Sequence, residues 1–174
     1  MIGQVEITYE NRIIRIKWEW NDSDAESVDI RYGKKEAVQM AEFQSGILRN
    51  TQDKFGYAEK KTAGERGLYT FLLIVYGNAG KIEEIKVENI ALGEPIQVLW
   101  KIERGKDGCK ITFPKCDAVI PAHVLLARYG KIEMEIGYEV SRETELLIWE
   151  KLETEPFQLC VKEPYDKVIR LKQD

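Results

Sequence analysis

Apolar and polar residues alternate from the start of the chain. In Val5-Glu6-Ile7-Thr8-Tyr9 every second residue is apolar, the period of a strand buried on one face. After a turn at Glu10-Asn11 the pattern is clearest: Ile14, Ile16, Trp18 and Trp20 fall on one side and Arg15, Lys17 and Glu19 on the other. This predicts a sheet strand with an aromatic inner face. Asn21-Asp22-Ser23-Asp24-Ala25-Glu26 reads as a loop, after which Val28, Ile30 and Tyr32 alternate with Asp29 and Arg31 until Gly33 breaks the run. Residues 36–50 fit either a short helix or an irregular strand pair, because Ala37, Met40, Ala41 and the apolar positions from Phe43 to Leu48 match neither period cleanly. Gly64-Glu65-Arg66-Gly67 is punctuation. Residues 68–76 are apolar on both faces, as in a central strand covered by a second sheet. Gly77-Asn78-Ala79-Gly80 turns the chain into a strand through Ile82, Ile85, Val87 and Ile90, whose uneven spacing predicts a bulge near Glu83-Glu84.

Ala91-Leu92-Gly93-Glu94-Pro95 reads as a junction, because the series then begins again. Ile96, Val98, Trp100 and Ile102 share a face before a Gly105-Lys106-Asp107-Gly108 turn. Further inner faces follow at Cys109, Ile111 and Phe113, at Leu125, Ala127 and Tyr129, and at Ile132, Met134, Ile136, Tyr138 and Val140. Strands near 146–149, 157–161 and 168–171 complete the set. An internal echo supports two units: Ile30-Arg31-Tyr32-Gly33-Lys34 returns as Ala127-Arg128-Tyr129-Gly130-Lys131.

The Trp18 strand, the Tyr32 strand, the strand Tyr69-Thr70-Phe71-Leu72-Leu73-Ile74-Val75 and the Asn78-Ala79-Gly80 turn together resemble a fibronectin type III domain over roughly residues 3–92. In that family the tryptophan and the tyrosine belong to the sandwich core, and the glycine-containing turn closes a hairpin. The segment before Tyr69 lacks the family's leucine and proline pattern, and the stretch from Gly33 to Gly67 is atypical. The second unit lacks the tryptophan and carries Pro164-Tyr165-Asp166 where the turn would fall. The resemblance implies an all-β protein of two tandem immunoglobulin-like or fibronectin type III-like antiparallel β-sandwich domains, 1–92 and a smaller one at 95–174.

Composition narrows the function. The chain has 174 residues, 44% hydrophobic and 32% charged, with a net charge of −4, enough apolar material for a core and enough charge for solubility. The longest apolar run, Leu72-Leu73-Ile74-Val75-Tyr76, is strand-sized, well short of the roughly 20 residues of a spanning helix, so no membrane partner is expected. The first residues show neither a basic start nor an apolar signal core, and the three cysteines, Cys109, Cys116 and Cys160, are an odd number confined to the second half. Both point to a reducing, cytoplasmic setting. A pI near 5.3 with acids interspersed among the bases argues against a nucleic-acid partner.

Catalytic patterns are scarce. His123 follows Pro121 with no nucleophile motif beside it, and Ser45 in Gln44-Ser45-Gly46 lacks the strand-turn-helix setting of a nucleophile elbow. Cys109 and Cys116 lack the close spacing of zinc ligands. Asn21-Asp22-Ser23-Asp24 lacks the central glycine and terminal glutamate of a calcium loop. Glu150, Glu153 and Glu155 read as a solvated edge, and the Gly77–Gly80 turn precedes a strand, which offers no helix N-terminus to a phosphate. No enzyme activity, cofactor or metal is expected. Trp18, Trp20 and Trp100 lie on apolar faces, which favours core over a sugar-stacking platform. The one basic segment interleaved with aromatics is Lys54, Phe55, Tyr57, Lys60, Lys61 and Arg66, interrupted by Asp53, Glu59 and Glu65. The expected function is a non-catalytic protein-binding or structural spacer module, an accessory part of a larger assembly, engaging a protein partner through an edge strand or loops. The alternative is a carbohydrate- or small-ligand-binding module.

Overall fold

A computed structural model describes residues 1–35, 37–50, 52–105, 108–112, 125–129, 132–136, 145–148 and 157–174. The chain divides into two compact units, Met1–Gly93 and Glu94–Asp174. The first unit contains β1 (Ile2–Glu10), β2 (Ile13–Trp20), β3 (Ser27–Lys34), β4 (Ala41–Leu48), β5 (Phe55–Lys61), β6 (Gly67–Gly77) and β7 (Gly80–Leu92). Two antiparallel sheets result, ordered β1-β2-β5 and β4-β3-β6-β7.

The alternation explains how these sheets close on each other. Ile14, Ile16, Trp18 and Trp20 of β2 share one buried cluster with Val28, Ile30 and Tyr32 of β3 and with Tyr69, Phe71, Leu73 and Val75 of β6. The inner faces of both sheets thus form a single sandwich core. The Tyr32 ring stacks on Tyr69 and Phe71, with centroids 6.0 and 5.7 Å away, and meets Phe43 edge-on at 5.5 Å. Across the ladder from Trp18 stands Gly56, where a Cβ would lie 2.0 Å from the indole Cε2. The missing side chain is what lets the indole lie across β5. The Asn78-Ala79 turn closes the β6–β7 hairpin, with Gly77 paired to Gly80.

β6 lies between β3 and β7 and is buried on both faces, Leu68, Thr70 and Ile74 included, as its unbroken apolar run requires. Residues 41–48 form one strand, whose register against β3 slips twice. Gly33 does not end β3: the strand runs through Lys34, and Gly33 pairs with Thr70. β7 contains two irregularities, one beside Glu83, as the uneven spacing predicted, and one further along. One extra residue enters at Ile82, between the pairs Val75–Glu83 and Tyr76–Lys81, and another beside Asn89, between Tyr69–Ile90 and Phe71–Val87. Asn89 has a φ of 60° there, a conformation asparagine tolerates better than most residues. Ala91 and Leu92, read from the sequence as junction, are the last residues of β7, and Leu92 is fully buried.

The second unit contains β8 (Ile96–Gly105), β9 (Gly108–Thr112), β10 (Leu125–Tyr129), β11 (Ile132–Ile136), β12 (Glu145–Ile148), β13 (Phe157–Val161), a 3₁₀ turn (Tyr165–Lys167) and β14 (Ile169–Gln173). Its sheets are ordered β12-β9-β8-β14 and β11-β10-β13. Val98, Trp100, Leu159, Val168 and Ile169 are buried. Among the described residues every pairing is antiparallel except β14 with β8, which is parallel from Ile169–Ile96 to Gln173–Trp100. In the first unit a tight glycine turn keeps β7 beside β6. Here Pro164 and the 3₁₀ turn follow β13, and β14 joins the other sheet. The sequence echo has a topological basis: β3 lies between β4 and β6, and β10 between β11 and β13. Gly130 and Lys131 of the echo, and Phe113, Tyr138, Val140 and Trp149, lie outside the described residues. Among the described residues the fold is all-β, and the first unit is a sandwich of two antiparallel sheets.

Candidate functional site

The aromatic and basic segment falls on β5, and its residues separate by parity. Trp20 N–H donates to the Lys54 carbonyl at 3.0 Å and Thr62 N–H to the Arg12 carbonyl at 2.8 Å. Even-numbered residues of β5 therefore turn their backbone groups toward β2, and their side chains point into the sandwich. Gly56 and Ala58 are accordingly buried. Phe55, Tyr57, Glu59 and Lys61 present their side chains on the outer face and their N–H and C=O groups along the sheet edge.

On that outer face Phe55 and Tyr57 are 42% and 51% exposed. Lys17 Nζ lies 4.2 Å from the Phe55 ring centroid and Lys54 Nζ 5.4 Å from it, so the ring is flanked by two cations. The acids present are engaged locally. Glu59 Oε2 accepts from the Tyr57 hydroxyl at 2.6 Å and from Arg15 Nε at 3.0 Å, and Glu19 pairs with Lys54 at 2.8 Å. The hydrogen bond to Glu59 raises the Tyr57 hydroxyl above its ordinary pKa, and the same bond, with Arg15 beside it, holds the Glu59 carboxyl below its own. Glu59 is thus ionised and Tyr57 protonated at neutral pH.

Lys60 and Arg66 do not join this group. Lys60 points to the rim of the core, its Nζ 4.8 Å from the Tyr32 ring centroid and 5.6 Å from that of Phe43, and donates to the Glu42 carbonyl at 3.4 Å. Arg66 lies in the connection from β5 to β6. Sequence proximity missed what β2 contributes: Arg15, Lys17 and Glu19 complete the face, and the signal was their alternation with Ile16 and Trp18.

The other candidates are placed as follows. Asp22 accepts the Asp24 N–H at 3.0 Å, a local turn of the β2–β3 loop. Ser45 lies within β4, and the Gly77–Gly80 turn joins two strands. Trp18, Trp20 and Trp100 are at most 6% exposed, so they form no sugar platform. Cys160 is a free, partly exposed thiol. The side chain of Cys109, and all of Cys116, His123, Glu150, Glu153 and Glu155, lie outside the described residues. Among the described residues no three or more His, Cys, Asp or Glu side chains are grouped to hold a metal ion, and no helix is long and apolar enough to cross a membrane. A shallow depression of about 480 Å³ is lined by Ser23, Ala25, Glu26, Leu48 and Arg49. Arg49 donates through Nη1 to the Asp22 carbonyl and, at 3.5 Å, to that of Ala25.

No family model and no curated protein matches the chain. Among solved structures it is similar to the selenomethionine-substituted chicken interferon gamma receptor alpha chain. The two are 10% identical with a TM-score of 0.39, over 97% of this chain and 91% of that one.

Proposed function

We propose that the chain is a non-catalytic protein-binding module of the cytoplasm, its first unit a fibronectin type III-type sandwich that engages a protein partner through the outer face of the β1-β2-β5 sheet. The fibronectin type III assignment is supported by the three-plus-four division of the strands and by the core positions of Trp18 and Tyr32. The cytoplasmic assignment rests on the odd, clustered cysteines of the sequence. One observation carries the binding site: Phe55 and Tyr57 stand exposed side by side on one strand, framed by Lys17, Lys54 and Arg15. Exposed aromatic rings, with arginine, are what protein interfaces concentrate at their centres.

The test is affinity capture with the tagged full chain at low and high salt, comparing the parent with Phe55→Glu and Tyr57→Ala. A stoichiometric protein partner that survives high salt and is lost with Phe55→Glu supports the proposal. Equal capture by parent and variants refutes it. Retention on glycan arrays, lost with the same variants, would replace it with the carbohydrate reading, since both rings are open to stacking.

A further inference from the structure

The four edge strands of the first unit are β1, β5, β4 and β7, and three are irregular. β1 slips register against β2 between Gly3 and Glu6, β4 slips twice against β3, and β7 slips twice against β6. Bulged edges resist pairing with foreign strands. β5 differs: it pairs with β2 without a slip from Phe55 to Lys61, and the outward backbone groups of Phe55, Tyr57 and Glu59 take no partner among the described residues. We propose, resting on the binding face above, that β5 is a docking edge to which an extended, acidic segment of a partner protein adds as a further strand.

The charge of the segment follows from the groups around the edge. Glu59 and Glu19 are engaged by Arg15, Tyr57 and Lys54. Among the described residues Lys60 and Lys61 form no ion pair, Lys60 donating to the Glu42 carbonyl, while Lys17 stands across the β1–β2 ladder from Glu6. On an added strand, Asp or Glu at the alternate positions that face the core rim meets Lys60, while the intervening side chains share the outer face with Phe55, Tyr57 and Lys61. Antiparallel self-pairing centred on Tyr57 sets Lys54 of each copy against Lys60 of the other, like charges directly opposed, but the register centred on Ala58 sets Tyr57 against Glu59 and Phe55 against Lys61, so dimerisation of the chain through β5 in place of peptide binding overturns the proposal.

The test uses the full chain and a pool of nine-residue peptides with Asp or Glu at every second position and apolar residues between, beside a pool with Lys in place of the acids. Binding is read by amide hydrogen exchange and titration on the parent, Tyr57→Ala and Tyr57→Pro. Proline at this position removes an edge-facing N–H and leaves the ladder to β2 intact. The acidic pool is expected to slow exchange of the Tyr57 and Glu59 amides and to bind Tyr57→Pro about tenfold more weakly than Tyr57→Ala. Equal loss in both variants overturns strand addition and leaves the face reading standing. Preference for the lysine pool overturns the acidic assignment. Failure of the acidic pool to bind or to protect these amides in the parent overturns the proposal without reliance on the folding of any variant. Lysate capture insensitive to Phe55→Glu fells the face reading separately.

Discussion

Gly56→Ala isolates the packing of β5 on β2. At a glycine whose backbone suits alanine, this change stabilises by about 0.4–1 kcal/mol through the unfolded chain, and in a strand it also restores a side chain. Here the new Cβ would stand 2.0, 2.2 and 2.3 Å from Cε2, Nε1 and Cζ2 of Trp18, against a carbon–carbon contact distance of about 3.5–4.0 Å. Trp18 is fully buried and packs edge-on against Trp20 with centroids 5.6 Å apart, so the indole cannot retreat by more than an ångström without disturbing its neighbours. The expected result is destabilisation of about 3 kcal/mol, the upper end for overpacking. That is a large part of the roughly 5–10 kcal/mol of a unit this size and a fall in melting temperature of roughly 12–24 °C. Thermal unfolding followed by ¹⁹F NMR of 5-fluorotryptophan at Trp18 reads this unit separately from the second. The indole Nε1 is buried without a partner, so Trp18→Phe removes an orphan donor as well as ring volume. In the Gly56→Ala background it should cost at least about 1 kcal/mol less than in the parent. A Gly56→Ala protein within 0.5 kcal/mol of the parent, or more stable than it, would refute the reasoning.

Tyr32 donates to Glu65 Oε1 at 2.9 Å, and Tyr32→Phe should cost about 1 kcal/mol in a urea titration. Burial and then Glu65 push the Tyr32 hydroxyl up to about 12. Burial also pushes the Glu65 carboxyl up, but hydrogen bonds from its own N–H, from Tyr32, Ala63 and Gly64 outweigh it and hold the carboxyl below its ordinary value. Glu65 therefore contributes stability that is present above the ordinary carboxylate pKa and lost as pH falls through its lower folded value. Tyr32→Phe should flatten the acid limb of the stability profile below about pH 4.5; an unchanged limb would show that the bond does not couple to titration. Arg49→Ala frees the carbonyls of Asp22 and Ala25 and removes a guanidinium 5.7 Å from the Trp20 ring. It should cost about 1–2 kcal/mol and speed amide exchange in residues 22–26, with unchanged exchange counting against the bracing role.

Strict alternation made β2 and β3 legible, because one burial pattern satisfies both a period of two and an aromatic core. β6 was legible for the opposite reason, since only a strand covered on both sides tolerates an unbroken apolar run. β4 was not, because an edge strand with Phe43 as its one buried residue leaves the hydrophobic period almost no positions to mark. The slips at Ile82 and Asn89 were visible as odd spacings, but spacing alone locates an extra residue only to within a position or two. Nothing local announced that β14 would cross to β8, a choice between two distant strands. For the surface, neighbours in sequence were grouped although parity divides them: Phe55, Tyr57 and Lys61 face out, and Lys60 faces the core rim. The charged residues of β2 that complete the face lie some 40 residues earlier in the chain (59 − 19 = 40).

The parallel pairing of β14 with β8 joins the first and last strands of the second unit. Tension applied at Ile96 and Gln173 pulls these strands past each other along their axes. The evenly spaced bonds of a parallel ladder then share the strain in shear and must fail nearly together, whereas a hairpin peeled from one end loses its bonds in turn. In the first unit β1 and β7 belong to different sheets, so the same pull meets no backbone ladder between the terminal strands. Among the described residues, the second unit thus resists tension between its terminal strands through a backbone ladder, and the first unit does not.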